Sequence, residues 1–489
     1  MNAALSPDSL VLVAVIVPFV GALVIPLFDK VPNVREAATL VTAGCLCLAV
    51  FSLLAPVLDG ARPRADVIRV APGLELAFEV EPLGMLFALV ASSLWIVNSI
   101  YSIGYMRANA EPRQTIYYVC FAVALGSTIG LAFAKNLFTL FLLYEVLTIS
   151  TYPLVTHKQD QEAIRAGRIY LLLLLGTSLI LFLPAIIATW VLAGTLDFTP
   201  GGILAGKAGA PLIAVLLTLY VFGIGKAALM PLHFWLPAAM VAPTPVSALL
   251  HAVAVVKAGV FAFTKVVIYV FGLDTLTKTG ANEWLIFVAS VSLLTASFIA
   301  LSRDNLKARL AYSTVSQLAY VVLGAALATT SSIIGSGMQI AMHAAGKITL
   351  FFCAGAIYTA HHLTEVSQMT GIGRKMPVTM LAFLIGSLSI IGVPPLGGWS
   401  KWELALGALD AGYTIVLGVL MLSSLLSAGY LLPIVARAFF LKPPDATIEN
   451  KTVIAEAPAA CLIALSGTAI LCIVLFFVAG RIQTLLTGL

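Results

Sequence analysis

The sequence predicts an all-α polytopic membrane protein with about fourteen transmembrane helices. Of its 489 residues, 61% are hydrophobic and only 10% are charged, whereas soluble domains carry about 25% charged residues. Apolar stretches of about 20 residues, the length that crosses a bilayer, recur along the whole chain. Basic residues are dense between some of these stretches and sparse between others. Lipid must therefore be the main solvent of this chain.

Counting one helix for each apolar stretch gives fourteen spans, numbered in chain order. Their predicted bounds are 9–28, 37–58, 82–105, 114–134, 136–156, 165–193, 211–230, 244–270, 283–301, 307–328, 330–360, 376–397, 411–440 and 457–479. Spans 7 and 12 are predicted to be broken, because both run into prolines and continue as short pieces at 231–241 and 398–409.

Basic side chains distinguish the two ends of these spans. Loops after odd-numbered spans carry fifteen Lys and Arg residues, and loops after even-numbered spans carry six. Because basic residues concentrate in cytoplasmic loops, the odd-numbered loops are predicted to face the cytoplasm and both termini the outer side.

Composition disfavours several other classes of protein. The net charge is only +5, and no basic run resembles a nucleic-acid-binding patch. The six cysteines lie in apolar segments and fit neither a zinc site nor a disulfide framework, so we expect no metal and no cofactor. Residues 10–28 lack a clear cleavage site and are predicted to be a retained span. The longest polar segment, residues 59–81, is too short for a soluble domain and is predicted to lie across the outer face.

Five lysines stand inside or at the edge of apolar spans, namely Lys226, Lys257, Lys265, Lys347 and Lys401. A charge at mid-bilayer costs about 2.5–3.5 kcal/mol on insertion scales. Burial disfavours the charged form of a lysine, and a nearby carboxylate favours it. Lysines in that balance can load and release protons near neutral pH, so these residues predict proton movement.

Glu145 and Lys226 are the first candidates. Glu145 lies about ten residues into span 5, where a carboxylate is predicted to need a lysine from another helix. Lys226 ends the string Gly-Ile-Gly-Lys in span 7, shortly before Pro231 and Pro237. A broken helix beside a buried charge is typical of a transport site. The alternative is a lysine that snorkels to the cytoplasmic surface.

Spans 8, 11 and 12 carry the other candidates. His251 could relay protons between lysines, or it could simply bond a neighbouring helix. Lys257 is mid-span and cannot easily reach either surface, whereas Lys265 can. His343 and Lys347 are four residues apart and share one helix face. Lys401 follows the break in span 12 and could end a proton path toward the outer side, with Glu403 either its partner or an interfacial residue.

An internal repeat is predicted from the order of the spans. Spans 4–8 and 9–13 would form two five-helix units, and the odd number of crossings inverts the second unit relative to the first. The chain then divides into an N-terminal three-helix segment (1–113), repeat 1 (114–270), repeat 2 (271–440) and the C-terminal helix 14 (441–489).

Two strings in this sequence resemble a known family. Residues 231–237 (PLHFWLP) with 242–251 (APTPVSALLH), and residues 305–317 (NLKARLAYSTVSQ), resemble the antiporter-like subunits shared by respiratory complex I, membrane-bound hydrogenases and Mrp-type cation/proton antiporters. The run at 347–356 (KITLFFCAGA) is most similar to the D-type subunits of Mrp antiporters. Many family members have a histidine just after the Trp-Leu-Pro string, where this sequence has Met240. The resemblance therefore does not identify the cytoplasmic entry route for protons. The chain ends shortly after span 14, so we expect no long lateral helix.

The resemblance implies a set of functions and partners. It makes Glu145 and Lys226 an interacting pair, Lys257 and His251 a central relay, and Lys401 the terminal proton carrier. The expected protein is a cofactor-free secondary transporter subunit of a bacterial inner-membrane Na⁺ or K⁺/proton antiporter. Its expected partners are small hydrophobic subunits and a larger homologous subunit. Two alternatives remain: a proton-pumping subunit of a complex I-like or hydrogenase-like redox complex, and a structural subunit whose polar residues merely pair.

Overall fold

The computed structural model describes residues 6–71, 73–441 and 454–489, with every side chain in these ranges except that of His251. The described chain is a bundle of helices. Eleven of its helices are long and apolar enough to cross a bilayer by length and composition: Pro7–Phe28, Pro32–Leu58, Pro82–Ala108, Gln114–Ala132, Leu137–Val155, Gln161–Ala193, Glu283–Ser302, Leu306–Leu327, Thr330–His361, Thr414–Phe440 and Ala459–Phe477. They coincide with predicted spans 1–6, 9–11, 13 and 14.

The other three predicted spans are shorter or irregular helices. Span 7 is Ala210–Gly223, and span 12 is Pro377–Ile391. Span 8 starts at Thr244, passes through a π-helical turn at Leu249–Val253 and continues to Phe271. It then bends by 77° into the short helix Leu273–Thr279. The polytopic α-helical fold is confirmed, and the count of fourteen crossings stays a prediction.

Both predicted helix breaks are present. After span 7 the chain makes the 3₁₀ turn Gly225–Ala227, and a short helix follows at Trp235–Ala238. After span 12 it resumes as the helix Trp399–Asp410. After span 12 the regular helix stops at Ile391, just before Pro394, because proline removes a backbone donor and clashes with the preceding turn. The helix of span 7 ends earlier, at Gly223, and the chain is irregular from there to Pro231. Each break places a lysine inside the bundle.

The polar segment between spans 2 and 3 folds as a β-hairpin, which the all-α prediction missed. Strand β1 (Arg64–Ala71) pairs antiparallel with strand β2 (Leu74–Glu79). Alternation of polar and apolar residues in 64–79 was the available signal. Beyond span 14, the helix Ala479–Leu486 ends the chain.

Loops of like parity gather at the same end of the bundle. At one end, the backbone N–H of Lys135 donates to the carbonyl of Ala77, which joins the loops after spans 2 and 4. At the same end, the backbone N–H of Leu204 donates to the carbonyl of Val270, which joins the loop after span 6 to the end of span 8. At the opposite end, the loops after spans 9 and 11 join through a bridge of Asn305 with Glu365. We call these the even-loop end and the odd-loop end. The chain therefore alternates in direction as the spans predict.

Glycines let the irregular helices approach the bundle closely. A methyl group at Gly259 in span 8 would overlap the backbone of Lys226 and Ala227. A side chain at Gly407, after the break in span 12, would meet Ser332 of span 11. Small residues at such crossings are typical of helix packing in membranes.

Candidate functional site

Lys226 lies at the break of span 7 and is fully buried. Its ammonium donates to the carbonyl oxygen of Tyr144 at 2.8 Å and to the hydroxyl of Thr148 at 2.6 Å. It also lies 3.1 Å from the centre of the Tyr144 ring. Span 5 therefore holds this lysine in the interior, and snorkelling to the surface is excluded by its burial.

Glu145 lies next to Tyr144 on span 5 and is half-buried. It interacts electrostatically with Lys226, yet the described residues show no ion pair between the two within 4.0 Å. Both carboxylate oxygens are buried and lack a hydrogen-bond partner within 3.5 Å among these residues, although the carboxylate interacts with the hydroxyl of Ser178. The two predicted partners are thus neighbours without a direct contact. An unsatisfied buried carboxylate is costly in a structure and is often found at functional sites.

Lys257, His343 and Lys347 form a cluster between spans 8 and 11. The Nζ atom of Lys257 lies 2.5 Å from Nδ1 of His343, and both side chains are buried. Lys347, one turn further along span 11, donates to the carbonyl of Leu310 at 3.2 Å and interacts with the charge of Lys257. The structure therefore brings three of the predicted site residues together, with a direct Lys257–His343 contact that the sequence did not reveal, while the predicted central relay of Lys257 with His251 stays a prediction.

A chain of amides and a hydroxyl leads from this cluster toward the break in span 12. Gln339 donates to the side-chain oxygen of Gln317 at 2.8 Å and accepts from the hydroxyl of Ser400 at 2.6 Å. These three side chains line a cavity of about 10 Å³ together with His343 and Lys401. A cavity of this size approaches the room that one water needs. The central cluster is thereby connected to the end of the predicted path.

Lys401 is held where span 12 breaks. Its ammonium donates to the carbonyl oxygens of Ile390 and Ile391 and to the hydroxyl of Ser424, each at 3.0 Å. It lies 4.8 Å from the centre of the Tyr320 ring. The two carbonyls end the first half of span 12, where the break removes their helical donors. The lysine therefore caps this half-helix.

No carboxylate contacts Lys401 among the described residues. Glu403 instead accepts a hydrogen bond from Gln483 at 3.0 Å. Lys401 also lines a largely apolar cavity of about 830 Å³ whose wall includes Trp399, Trp402 and Met421. Of the two predictions for Glu403, the one that pairs it with Lys401 is therefore wrong.

The two break lysines have matching surroundings. Lys226 lies over Tyr144 of span 5, and Lys401 lies over Tyr320 of span 10. Spans 5 and 10 are the second helices of the two predicted repeats, and the broken spans are the fourth. Val321 follows Tyr320 where Glu145 follows Tyr144. The two predicted units thus share a lysine over a tyrosine ring but not the carboxylate beside it.

Lys265 makes an ion pair at the even-loop end. Its Nζ atom donates to the carbonyl of Ala134 at 2.7 Å and lies 3.5 Å from a carboxylate oxygen of Glu81. Both side chains are almost fully buried. Nothing in the sequence favours this pairing over others, because Glu81 stands in the polar segment before span 3.

The odd-loop end contains a cavity of about 310 Å³ lined by polar and apolar groups, including Tyr105, Lys158, Thr244 and Lys307. Lys307 donates to the carbonyl of Ala242 at 2.6 Å in its wall.

Two titratable groups in the loops lie near this cavity. Burial raises the pKa of the Glu111 carboxyl, against the opposing charges of Lys158 and Lys307. Burial and the charge of Arg113 lower the pKa of His157 to about 4. The side chains of His157 and Glu111 lie 3.6 Å apart. The odd-loop end therefore has two titratable groups near the cavity beside span 8.

The remaining histidines take varied positions. The side chain of His251 lies outside the described residues, and its backbone stands in the π-helical turn Leu249–Val253. His233 is buried at the break of span 7. His361 and His362 end span 11, as predicted for helix ends. Metal-binding groups of three or more His, Cys, Asp or Glu are absent from the part of the chain that was described.

Comparison with known proteins identifies the family. A family model described as "NADH:quinone oxidoreductase/Mrp antiporter, TM" matches residues 134–427, more than half of the chain. The chain belongs to this family. The matched region contains every predicted relay residue, from Glu145 to Lys401.

Proteins similar to this chain come from different kinds of complex. The chain is 32% identical over 387 residues to NADH-quinone oxidoreductase subunit N of Desulforudis audaxviator, covering 77% of the chain and 75% of the relative. It is 27% identical to the A/B component of a probable K⁺/H⁺ antiporter of Rhizobium meliloti, covering 89% of the chain but only 44% of that protein. A chain in the Mrp complex of Dietzia sp. DQ12-45-1b has the same fold, with a TM-score of 0.86, 21% identity and coverage of 99% and 96%.

The strings of this sequence that resemble the family lie beside the buried lysines. The string at 231–237 occupies the break after Lys226, and the string at 305–317 begins span 10 and supplies Gln317. The glutamines escaped the sequence reading because only charged groups were sought inside apolar spans. A glutamine inside an apolar span is as informative as a charged residue there, because its amide also needs hydrogen-bond partners.

Proposed function

We propose that this chain is the proton-translocating subunit of a multisubunit monovalent cation/proton antiporter. One observation supports this most directly: titratable groups follow one another through the bundle, from half-buried Glu145 through buried Lys226, Lys257, His343 and Lys347 to half-buried Lys401. Structural pairing alone would join these groups directly, yet the described residues show no ion pair between Glu145 and Lys226 within 4.0 Å. The antiporter family supports a transporter subunit with no catalytic centre of its own.

The proposed route runs laterally through the two inverted repeats, residues 114–270 and 271–440. Protons exchange with the cytoplasm at the odd-loop cavity, whose wall includes Ala354 of span 11. Ala354 lies seven residues from Lys347 on the same helix face, a rise of about 10 Å. From Lys347 and His343 the path leads to Lys257 and on to the break lysines. His251 belongs to this relay in the proposal.

The proposed setting is a bacterial inner membrane, with the odd-numbered loops in the cytoplasm and both termini outside. Partners would be other hydrophobic subunits, including a larger homologous one, since the chain spans less than half of the probable K⁺/H⁺ antiporter component that it resembles. The exchanged cation would be Na⁺ or K⁺, and membership of the D-type branch of Mrp subunits is part of the proposal.

A second candidate function is a proton-pumping subunit of a complex I-like redox complex. The 32% identity to NADH-quinone oxidoreductase subunit N favours it. The chain would then hold no cofactor, and coupling would reach it from its partners. Identification of the co-purifying subunits separates the two: small hydrophobic subunits without iron–sulfur proteins indicate the antiporter, and iron–sulfur subunits indicate the redox complex.

Substitution of the first pair tests proton translocation itself. The complex carrying Glu145→Ala or Lys226→Ala should assemble but lose proton-coupled transport, measured with a pH-sensitive dye in inverted membrane vesicles. Lys278→Ala is the matched control, since the Lys278 side chain is 79% exposed and its ion pair is with Asp274, which is 90% exposed. Normal transport by the assembled Glu145 and Lys226 variants would contradict the relay.

A further inference from the structure

A buried ion pair at the even-loop end lies outside the relay described above. Lys265 stands eight residues after Lys257 on span 8, a rise of about 12 Å toward the even-loop end. Its ammonium lies 3.5 Å from Glu81, and the two side chains are 1% and 3% exposed. An ion pair hidden this completely costs more in desolvation than most surface pairs return. Fold stability is therefore a poor explanation for it.

Glu81 is fixed in position by its other contacts. Its two carboxylate oxygens accept the backbone N–H groups of Leu83 and Gly84 at 2.8 and 2.9 Å, which caps span 3. One of them also accepts the hydroxyl of Tyr269 at 3.3 Å. A carboxylate held this firmly beside one lysine presents a defined site to a proton.

The pair opens toward charged groups at the surface. A cavity of about 10 Å³ is lined by Glu81, Lys265, Arg62, Glu79 and Lys135 among others. Arg62 and Glu79 have 34% and 25% of their side chains exposed and lie 3.8 Å apart. The cavity thus reaches from the buried pair to side chains in contact with water.

We propose that Lys265 and Glu81 form a proton port that connects the relay of repeat 1 to the outer medium. This inference rests on the proposed function. It gives repeat 1 an outlet of its own, distinct from the path through Lys401. The described surroundings of Lys401 hold no carboxylate and a largely apolar cavity, whereas Lys265 has both a carboxylate and a polar exit.

Each proton transfer in the port balances. In the resting pair, Lys265 is an ammonium and Glu81 a carboxylate. Moving one proton from Lys265 to Glu81 breaks an N–H bond, forms an O–H bond and leaves both groups neutral. The carboxylic acid then releases that proton to outer water through the cavity. The free amine takes the next proton from the Lys257 side, which restores the ion pair; inward flow runs the same steps in reverse.

Phe261 separates the port from Lys257. It lies four residues from each lysine, its ring centre is 5.6 Å from the Lys265 ammonium, and it packs on Phe87 at 5.0 Å. Apolar constrictions of this kind gate by excluding water. The port therefore exchanges protons with the relay only when water passes this ring.

Two substitutions separate proton transfer from structural pairing. In Lys265→Arg the cation and its ion pair are kept, but a guanidinium does not deprotonate in proteins. In Glu81→Gln the single side-chain oxygen can keep one of the two cap bonds to span 3, but the group exchanges no proton. Lys278→Arg is the control, because Lys278 lies in the loop after span 8 at the same end, has 79% of its side chain exposed and pairs with Asp274 outside the port cavity. All three are assayed as the intact complex in inverted vesicles, with assembly checked by co-purification of the other subunits.

Lys265→Arg and Glu81→Gln should assemble and transport protons about a hundredfold or more slowly, the scale on which a lost proton-transfer group acts, while Lys278→Arg transports normally. Normal transport by assembled Lys265→Arg would overturn the port. If that variant fails to assemble, Glu81→Gln decides in the same way. Glu145→Ala is run alongside: if it is inactive while the port variants are normal, only the port fails, and if it is active, the relay itself fails.

Discussion

At the scale of single residues, the hydroxyl of Thr148 is one of two hydrogen-bond acceptors for the Lys226 ammonium. Thr148→Val keeps the shape of the side chain and removes that acceptor. A hydrogen bond to a charged group contributes about 1.5–3 kcal/mol. Losing it should destabilise the protonated form of Lys226, so the lysine binds a proton less readily. We expect slower transport near pH 7 with partial recovery at lower pH, measured as dye-reported proton flux in vesicles.

Thr128→Val is the matched control for that experiment. Thr128 is also buried in a span, but its hydroxyl bonds the carbonyl of Ala124 in its own helix. The control should transport as the wild type does. An equal loss in both variants would show that threonine packing matters and that the Lys226 contact does not.

His157 predicts a pH dependence of stability at the odd-loop end. Burial lowers its pKa from 6.5 to about 4, so between these values the unfolded chain binds the proton and the folded chain does not. Stability of the wild type should therefore fall as the pH drops from 6.5 to about 4. Glu111, with its pKa raised by burial, acts in the opposite direction, and the comparison with a variant isolates the histidine.

The measurement is the melting temperature of the detergent-solubilised protein across this pH range. His157→Gln should show a flatter decline than the wild type, while His361→Gln, at the end of span 11, should keep the wild-type slope. A slope unchanged in His157→Gln would contradict a neutral buried histidine.

The sequence indicates which titratable side chains lie inside the bundle, and their role in proton movement stays a prediction. Lys257, His343 and Lys347 were predicted because each is costly inside an apolar span, and all three are buried. The contacts between them were not predictable, because spacing along one helix says nothing about which helix lies opposite. The Lys265–Glu81 pair escaped for the same reason.

At the scale of helices, the crossing of span 8 over the break in span 7 depends on Gly259. A methyl group there would overlap the backbone at Lys226 and Ala227. Gly259→Ala should therefore lower the melting temperature and displace Lys226, although alanine favours helix over glycine by about 1 kcal/mol. Gly44→Ala tests the opposite case, because no described atom lies within 4 Å of the added methyl. It should leave transport intact and raise stability slightly; similar melting temperatures for the two variants would refute the close crossing.

Helices and their breaks were largely readable from hydropathy and proline. The short span 7 and the irregular span 8 were drawn as full-length crossings, since a sequence window cannot show where backbone turns to a 3₁₀ or π form. The hairpin at 64–79 was missed because its polar residues were weighed for charge and not for alternation.

At the scale of the whole molecule, the two proposed repeats should respond alike at their tyrosines. Lys226 lies 3.1 Å from the Tyr144 ring centre and Lys401 lies 4.8 Å from that of Tyr320. Replacing either ring by leucine removes a cation–π contact and should slow transport, while phenylalanine should largely restore it. An effect confined to repeat 1 would argue against equivalent roles for the two lysines.

Orientation of the whole bundle determines which of the proposed openings faces which compartment. A variant with Cys45, Cys47 and Cys120 replaced by alanine leaves only buried native thiols. Into it, Arg69→Cys places a thiol on the exposed hairpin of the even-loop end, and Arg374→Cys places one at the odd-loop end.

A membrane-impermeant maleimide added to intact cells should label the thiol at position 69 and should reach position 374 only after permeabilisation. The reason is that fifteen basic residues in the odd-numbered loops predict a cytoplasmic position for that end. The reverse pattern would exchange the two openings, so that the Lys265–Glu81 pair faced the cytoplasm and the cavity beside Lys307 faced outward. Because a port and an inlet differ only in the side they face, this labelling determines the direction in which the relay must be read.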